Sequence, residues 1–123
     1  MGGKAVASRT LRDIDVNKYK AIIFVGGRGS EQYFNDSEAL AIAKNAYEKG
    51  KIVGAICIAP VILANSGILE GKKATVSPGN ENILKEKGAI YENKSVIKDG
   101  NVITACGPQA AKGFGKEIAD SLK

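Results

Sequence analysis

The sequence predicts a single α/β domain built on a mostly parallel sheet, and three observations carry that expectation. The apolar runs Ala21–Val25 and Ile52–Ile56 are unbroken rather than alternating, as in strands covered by helices on both faces. Stretches with apolar residues at helical spacing follow such runs, and several are closed by a glycine. The 123 residues are 44% hydrophobic, enough for one core, and no internal repeat or Pro/Ser-rich linker divides them, so residues 1–123 are expected to form one domain.

Taken in order, Ala21–Val25 reads as a central parallel strand that ends in Gly26-Gly27. Asn35 with Glu38 three residues later has the form of a capping box, and Leu40, Ala43 and Tyr47 then recur at helical spacing until Gly50 supplies a left-handed stop. Ile52–Ile56 is a second apolar strand, followed at once by Cys57-Ile58-Ala59 and by Pro60, a residue suited to the first turn of a helix because it needs no amide partner. Strand therefore passes to helix with almost no loop, and that helix, Pro60 to about Ser66, ends at Gly67. Lys73–Val76 reads as a short strand, Glu81–Lys87 as a helix stopped by Gly88, and Ser95–Thr104 as a hairpin turning at Asp99-Gly100. A last helix starts at Pro108 and presents Ala111, Phe114, Ile118 and Leu122 as the stripe that lies on the sheet.

Composition narrows the function classes. No apolar run approaches the ~20 residues of a membrane helix, and Met1-Gly2-Gly3-Lys4 begins no apolar signal core, so a soluble, cytoplasmic protein without a membrane partner is expected. There is no histidine, and the two cysteines, Cys57 and Cys106, have no metal-ligand spacing, so no metal and no cofactor is expected and both thiols should be free. The net charge of +5 comes from lysines dispersed over helices and turns, among them Lys44, Lys49, Lys51, Lys72 and Lys73. That is a solvated basic surface rather than a nucleic-acid site, since no basic run interleaves with aromatics. Gly26-Gly27-Arg28-Gly29-Ser30 invites a nucleotide or flavin reading, but it lacks the third glycine of the dinucleotide fingerprint.

A parallel sheet with right-handed crossovers puts its functional crevice outside the carboxyl ends of the strands, where Gly26–Ser30, Cys57–Pro60 and Ala105–Pro108 converge. A cysteine at a strand-to-helix turn lies near unpaired amides and the positive end of a helix dipole, which favour thiolate at neutral pH. The competing assignment is a small buried apolar residue. Cys106, at the end of the last strand, is either a core residue or the partner of Cys57 in reversible oxidation.

Gly54-Ala55-Ile56-Cys57-Ile58-Ala59-Pro60-Val61-Ile62-Leu63-Ala64 resembles the nucleophile elbow of the ThiJ/PfpI superfamily, a branch of the class I glutamine amidotransferase-like fold. Tyr19–Gly27, Gly67–Thr75 and Asp99–Pro108 extend the resemblance in family order over nearly the whole chain. It implies a flavodoxin-like three-layer sandwich, with Cys57 as nucleophile and the amides of Gly27 and Ile58 forming an oxyanion hole. It also implies a cysteine-dependent hydrolase, either intracellular protease-like or glyoxalase/deglycase-like, acting on a small carbonyl-containing metabolite or a peptide. The alternative is a non-catalytic stress-response, chaperone-like or redox-sensing interaction module.

The chain departs from the family pattern in two ways. Where many members carry a histidine, Ile58 and Ser77 stand here. The family's first-strand glutamate is not matched, as though the fold were N-terminally shortened by its first strand-helix-strand unit. A base is then left to a partner chain, to a carboxylate such as Glu31, or to solvent acting with an already ionised thiol. Loss of that unit would also bare the edge of Ala21–Val25, so a second copy of the chain (a homo-oligomer) or a missing N-terminal segment is expected to cover it.

Overall fold

Parallel pairing of unbroken apolar strands organises the molecule, as expected. The computed structural model describes residues 4–5, 21–25 and 37–122. Its elements are β1 (Lys4–Ala5), β2 (Ala21–Val25), α1 (Ser37–Glu48), β3 (Ile52–Ile56), α2 (Pro60–Ser66), β4 (Lys73–Ala74), α3 (Glu81–Glu86), β5 (Ile90–Tyr91), β6 (Val96–Asp99), β7 (Val102–Ala105) and α4 (Ala111–Ser121). One sheet has the order β1-β2-β3-β7-β6, parallel except for the antiparallel β6–β7 hairpin.

The strand pleat divides the core in two. Val53 and Ala55 of β3 face a cluster with Ile22, Phe24, Ala39, Ala43, Ala46, Val61 and Leu63, so α1 and α2 cover that side. Ile52 and Ile56 face the other way, with Ile23, Ile103, Ala105, Ala110 and Phe114 under α4. Helices thus lie on both faces, the three-layer arrangement that two-sided apolar strands require. Gly54 is the point of closest approach: a Cβ there would meet Ile23 Cδ1 and Phe114 Cζ, each at 3.0 Å, so the absent side chain is what lets the Phe114 ring lie on the sheet.

Several expectations are corrected by long-range pairing. Ala21–Val25 is not a bare edge, because β1 pairs parallel with it through Lys4 opposite Ile22 and Ala5 opposite Ile23. Lys73–Val76 contributes only Lys73 and Ala74 as strand, and these join Ile90 and Tyr91 in a separate two-stranded sheet. No local periodicity announces a strand of two residues, so β5 was not foreseen. The last helix is preceded by a 3₁₀ turn at Pro108–Ala110, whose tighter winding shifts the contact stripe by one residue. Ala110, not Ala111, is buried beside Phe114, with Ile118 and Leu122 packed against the same cluster.

The hairpin turns at Gly100, whose φ of 64° admits the reversal, and α2 ends on Gly67 in the left-handed conformation, its amide returning to Ala64 O. The Asn35 cap lies outside the described residues. Among the described residues, no helix is long and apolar enough to cross a membrane.

Candidate functional site

The turn from β3 into α2 is where the backbone departs most from ordinary geometry. Cys57 has φ 68°, the single non-glycine residue with positive φ among the described residues. A side chain in this region costs roughly 1–3 kcal/mol and persists only where the surroundings over-determine it. Both peptide groups of Cys57 are held: its amide donates to Ala105 O at 3.0 Å, and its carbonyl accepts from the Ser77 amide at 2.9 Å. The bend sends neighbouring side chains to different places, Cys57 against the cluster under α4 and Ile58 against the cluster under α1 and α2.

The amides of the turn are less available than the sequence suggests. Ala59 donates to Ile56 O, Val61 to Ile58 O and Ile62 to Ala59 O, at 3.2, 3.1 and 2.8 Å, while Pro60 has no N–H to offer. The Ile58 amide is the one left, with no acceptor among the described residues.

The thiol itself is not activated in the way expected. Burial, and then the charge of nearby Cys106, push the Cys57 thiol up rather than down. Among the described residues, α2 is only seven residues long and most of its first amides are engaged, which leaves them little to offset the desolvation of a thiolate. That direction is opposite to the lowering expected of a cysteine at a strand-to-helix turn.

Cys106 lies one residue past β7. Its amide donates to Ser95 O at 3.0 Å, and Gln109 Nε2 donates to its Sγ at 3.7 Å. It opens onto a groove of about 540 Å³ whose polar lining includes Glu81, Asn82, Lys85, Tyr91 and Asn93. Lys85 Nζ stands 5.7 Å from the centre of the Tyr91 ring, a cation–π contact. Burial, the Glu81 carboxylate and Cys106 push the Tyr91 phenol up, so it stays a neutral donor. Ser77, at a position where the family pattern allows histidine, holds the Cys57 carbonyl by its amide, while its Oγ accepts from Asn80 Nδ2 at 3.0 Å.

Of the residues singled out from sequence, Cys57, Ile58 and Cys106 are brought to one sheet edge. Gly27 and Glu31, and with them the whole segment Gly26–Ser30, lie outside the described residues. The groove residues were not anticipated: Glu81 and Lys85 read only as part of the helix Glu81–Lys87, and Tyr91 belongs to the unforeseen β5. Among the described residues, no cluster of three or more His, Cys, Asp and Glu is arranged to hold a metal ion.

The chain has clear relatives. It is 46% identical over 126 residues to an uncharacterised protein of Methanocaldococcus jannaschii, an alignment covering 100% of this chain and 62% of that protein. A protein named as a deglycase in Pyrococcus horikoshii is 29% identical over 114 residues, covering 93% of this chain and 69% of the relative. The crystal structure of a ThiJ/PfpI domain protein from Brachyspira murdochii superposes with a TM-score of 0.89 at 30% identity, over 91% of this chain and 65% of that one. The chain thus spans a little under two thirds of the Methanocaldococcus protein and of the Brachyspira structure. The DJ-1/PfpI family model matches residues 1–121, and with the flavodoxin-like sandwich it shares with the Brachyspira domain, the chain belongs to the DJ-1/PfpI family.

Proposed function

We propose that the chain is a cytoplasmic enzyme of the glyoxalase or deglycase type in which Cys57 attacks the carbonyl carbon of a small reactive carbonyl metabolite or an acyl group. The observation that carries this is the strained φ of Cys57 beside the Ile58 amide, which has no acceptor among the described residues. Sγ bonds to the carbonyl carbon and the carbonyl oxygen gains the electron pair. The Ile58 amide, with that of Gly27 as the second donor, holds the developing oxyanion. The thiol proton ends on that oxygen, so the addition balances without a permanent thiolate, as a hemithioacetal from an aldehyde or as a tetrahedral adduct from an acyl group. The deglycase names among the relatives support this substrate class. Replacing Cys57 with Ala should abolish carbonyl consumption by the reduced protein; unchanged turnover would end the enzymatic role.

A non-catalytic role is favoured by a different observation. The sequence holds no histidine to act as base, and burial raises the Cys57 thiol. In that case the fold serves as a chaperone-like, stress-response or redox-sensing interaction module, and a second copy of the chain is the partner to test first. Absence of carbonyl consumption in both the reduced wild type and the Cys57→Ala variant would favour it.

A further inference from the structure

Cys57 and Cys106 extend neighbouring strands from one register pair. Ile56 and Ala105 are partners in the parallel β3–β7 pairing, and each cysteine is the next residue along its strand. The ladder carries on for one more bond, because the Cys57 amide donates to Ala105 O at 3.0 Å. Adjacent strands lie about 4.8 Å apart. A disulfide spans Cα separations of roughly 4.4–6.8 Å, so the backbone there sits inside the range that a bridge needs.

The side chains are also on common ground. Both cysteines pack against the cluster of Ile56, Ala105 and Phe114 under α4, and both thiols are free. Both cysteines are half-buried, and Cys106 lines the groove with Glu81, Lys85 and Tyr91. A small oxidant in the groove has a direct route to Cys106.

We propose that Cys57 and Cys106 form a reversible intrachain disulfide, with Cys106 the sulfur first oxidised and a hydroperoxide the oxidant. The Cys106 sulfur attacks a peroxide oxygen, the O–O bond breaks, and the alcohol (water, when the oxidant is hydrogen peroxide) leaves with the thiol proton. Cys106 is then a sulfenic acid. The Cys57 sulfur attacks it, the S–S bond forms, the S–O bond breaks, and the leaving hydroxide takes the Cys57 proton as water. Two thiols together give up two electrons and two protons, and one hydroperoxide is reduced. As regulation this rests on Cys57 being the nucleophile, since the bridge removes that sulfur until a dithiol restores it; the bridge itself does not depend on that role.

The test uses the full chain, reduced, then exposed to hydrogen peroxide, alkylated and digested with trypsin without reductant. Trypsin leaves the cysteines on separate peptides, 52–72 and 99–112. A linked pair of these peptides that disappears with dithiothreitol is expected, from protein that remains unlinked to other chains. In the Cys57→Ser variant the sulfenic acid has no resolving thiol, so labelling of Cys106 by dimedone should rise several-fold over wild type. Cys57 oxidised alone with Cys106 still alkylated, or a link between chains, overturns the proposal. Carbonyl consumption by the reduced protein is measured in parallel. A bridge without consumption sinks the enzymatic role and leaves the disulfide standing, and consumption without a bridge does the reverse.

Discussion

At nearly every position alanine is more stable than glycine, because glycine has more unfolded freedom to lose, a difference of roughly 0.5–1 kcal/mol. At Cys57 the order should invert. A side chain in the left-handed region costs about 1–2 kcal/mol, and at φ 68° both the native cysteine and an alanine carry that cost whereas glycine does not. Both variants lose the sulfur, so its packing cancels in the comparison, and the half-buried alanine methyl returns only a few tenths of a kcal/mol. The Cys57→Gly variant should therefore exceed Cys57→Ala by about 0.5 kcal/mol, a shift of roughly 2–3 °C in Tm. Urea unfolding of the two variants, compared at equal m, measures it. An Ala64→Gly variant, inside α2, is the control of opposite sign and should lose about 1 kcal/mol. If Cys57→Ala proves the more stable by the ordinary margin, the turn holds no strain, and the structural ground for the proposed function is gone.

Two further outcomes follow from named contacts. The Cys57 thiol is raised by burial and then by Cys106, so the pH midpoint of its alkylation should lie higher in the folded chain than in urea, and Cys106→Ser should bring it part of the way down. With the folded value above the unfolded one, the contribution of the thiol to stability is complete below the unfolded pKa and is lost as the pH rises through the folded pKa; unfolding of wild type against Cys57→Ala across that alkaline window reads the loss, and a flat difference contradicts it. The Thr75 amide donates to Thr104 Oγ1 at 3.0 Å inside the protein, whereas Thr75 Oγ1 is buried with no partner among the described residues. Thr104→Val should then cost about 1–3 kcal/mol by orphaning that amide, while Thr75→Val should be near neutral or stabilising; equal losses in thermal unfolding would show the hydrogen bond to be irrelevant.

The sequence by itself determined what neighbours along the chain decide. Unbroken apolar runs made β2 and β3 two-sided strands, Pro60 and Gly67 bounded α2, Asp99-Gly100 turned the hairpin, and together they put Cys57 at a strand-to-helix bend. Tertiary structure decided what depends on residues distant in sequence. It paired Lys4–Ala5 with β2, set β4 beside β5, moved the buried face of the last helix onto Ala110, placed Cys106 next in register to Cys57, and reversed the expected direction of the Cys57 thiol. Backbone preference is a property of a few adjacent residues, whereas desolvation and cross-strand proximity are sums over everything packed nearby, and only the folded chain fixes those sums.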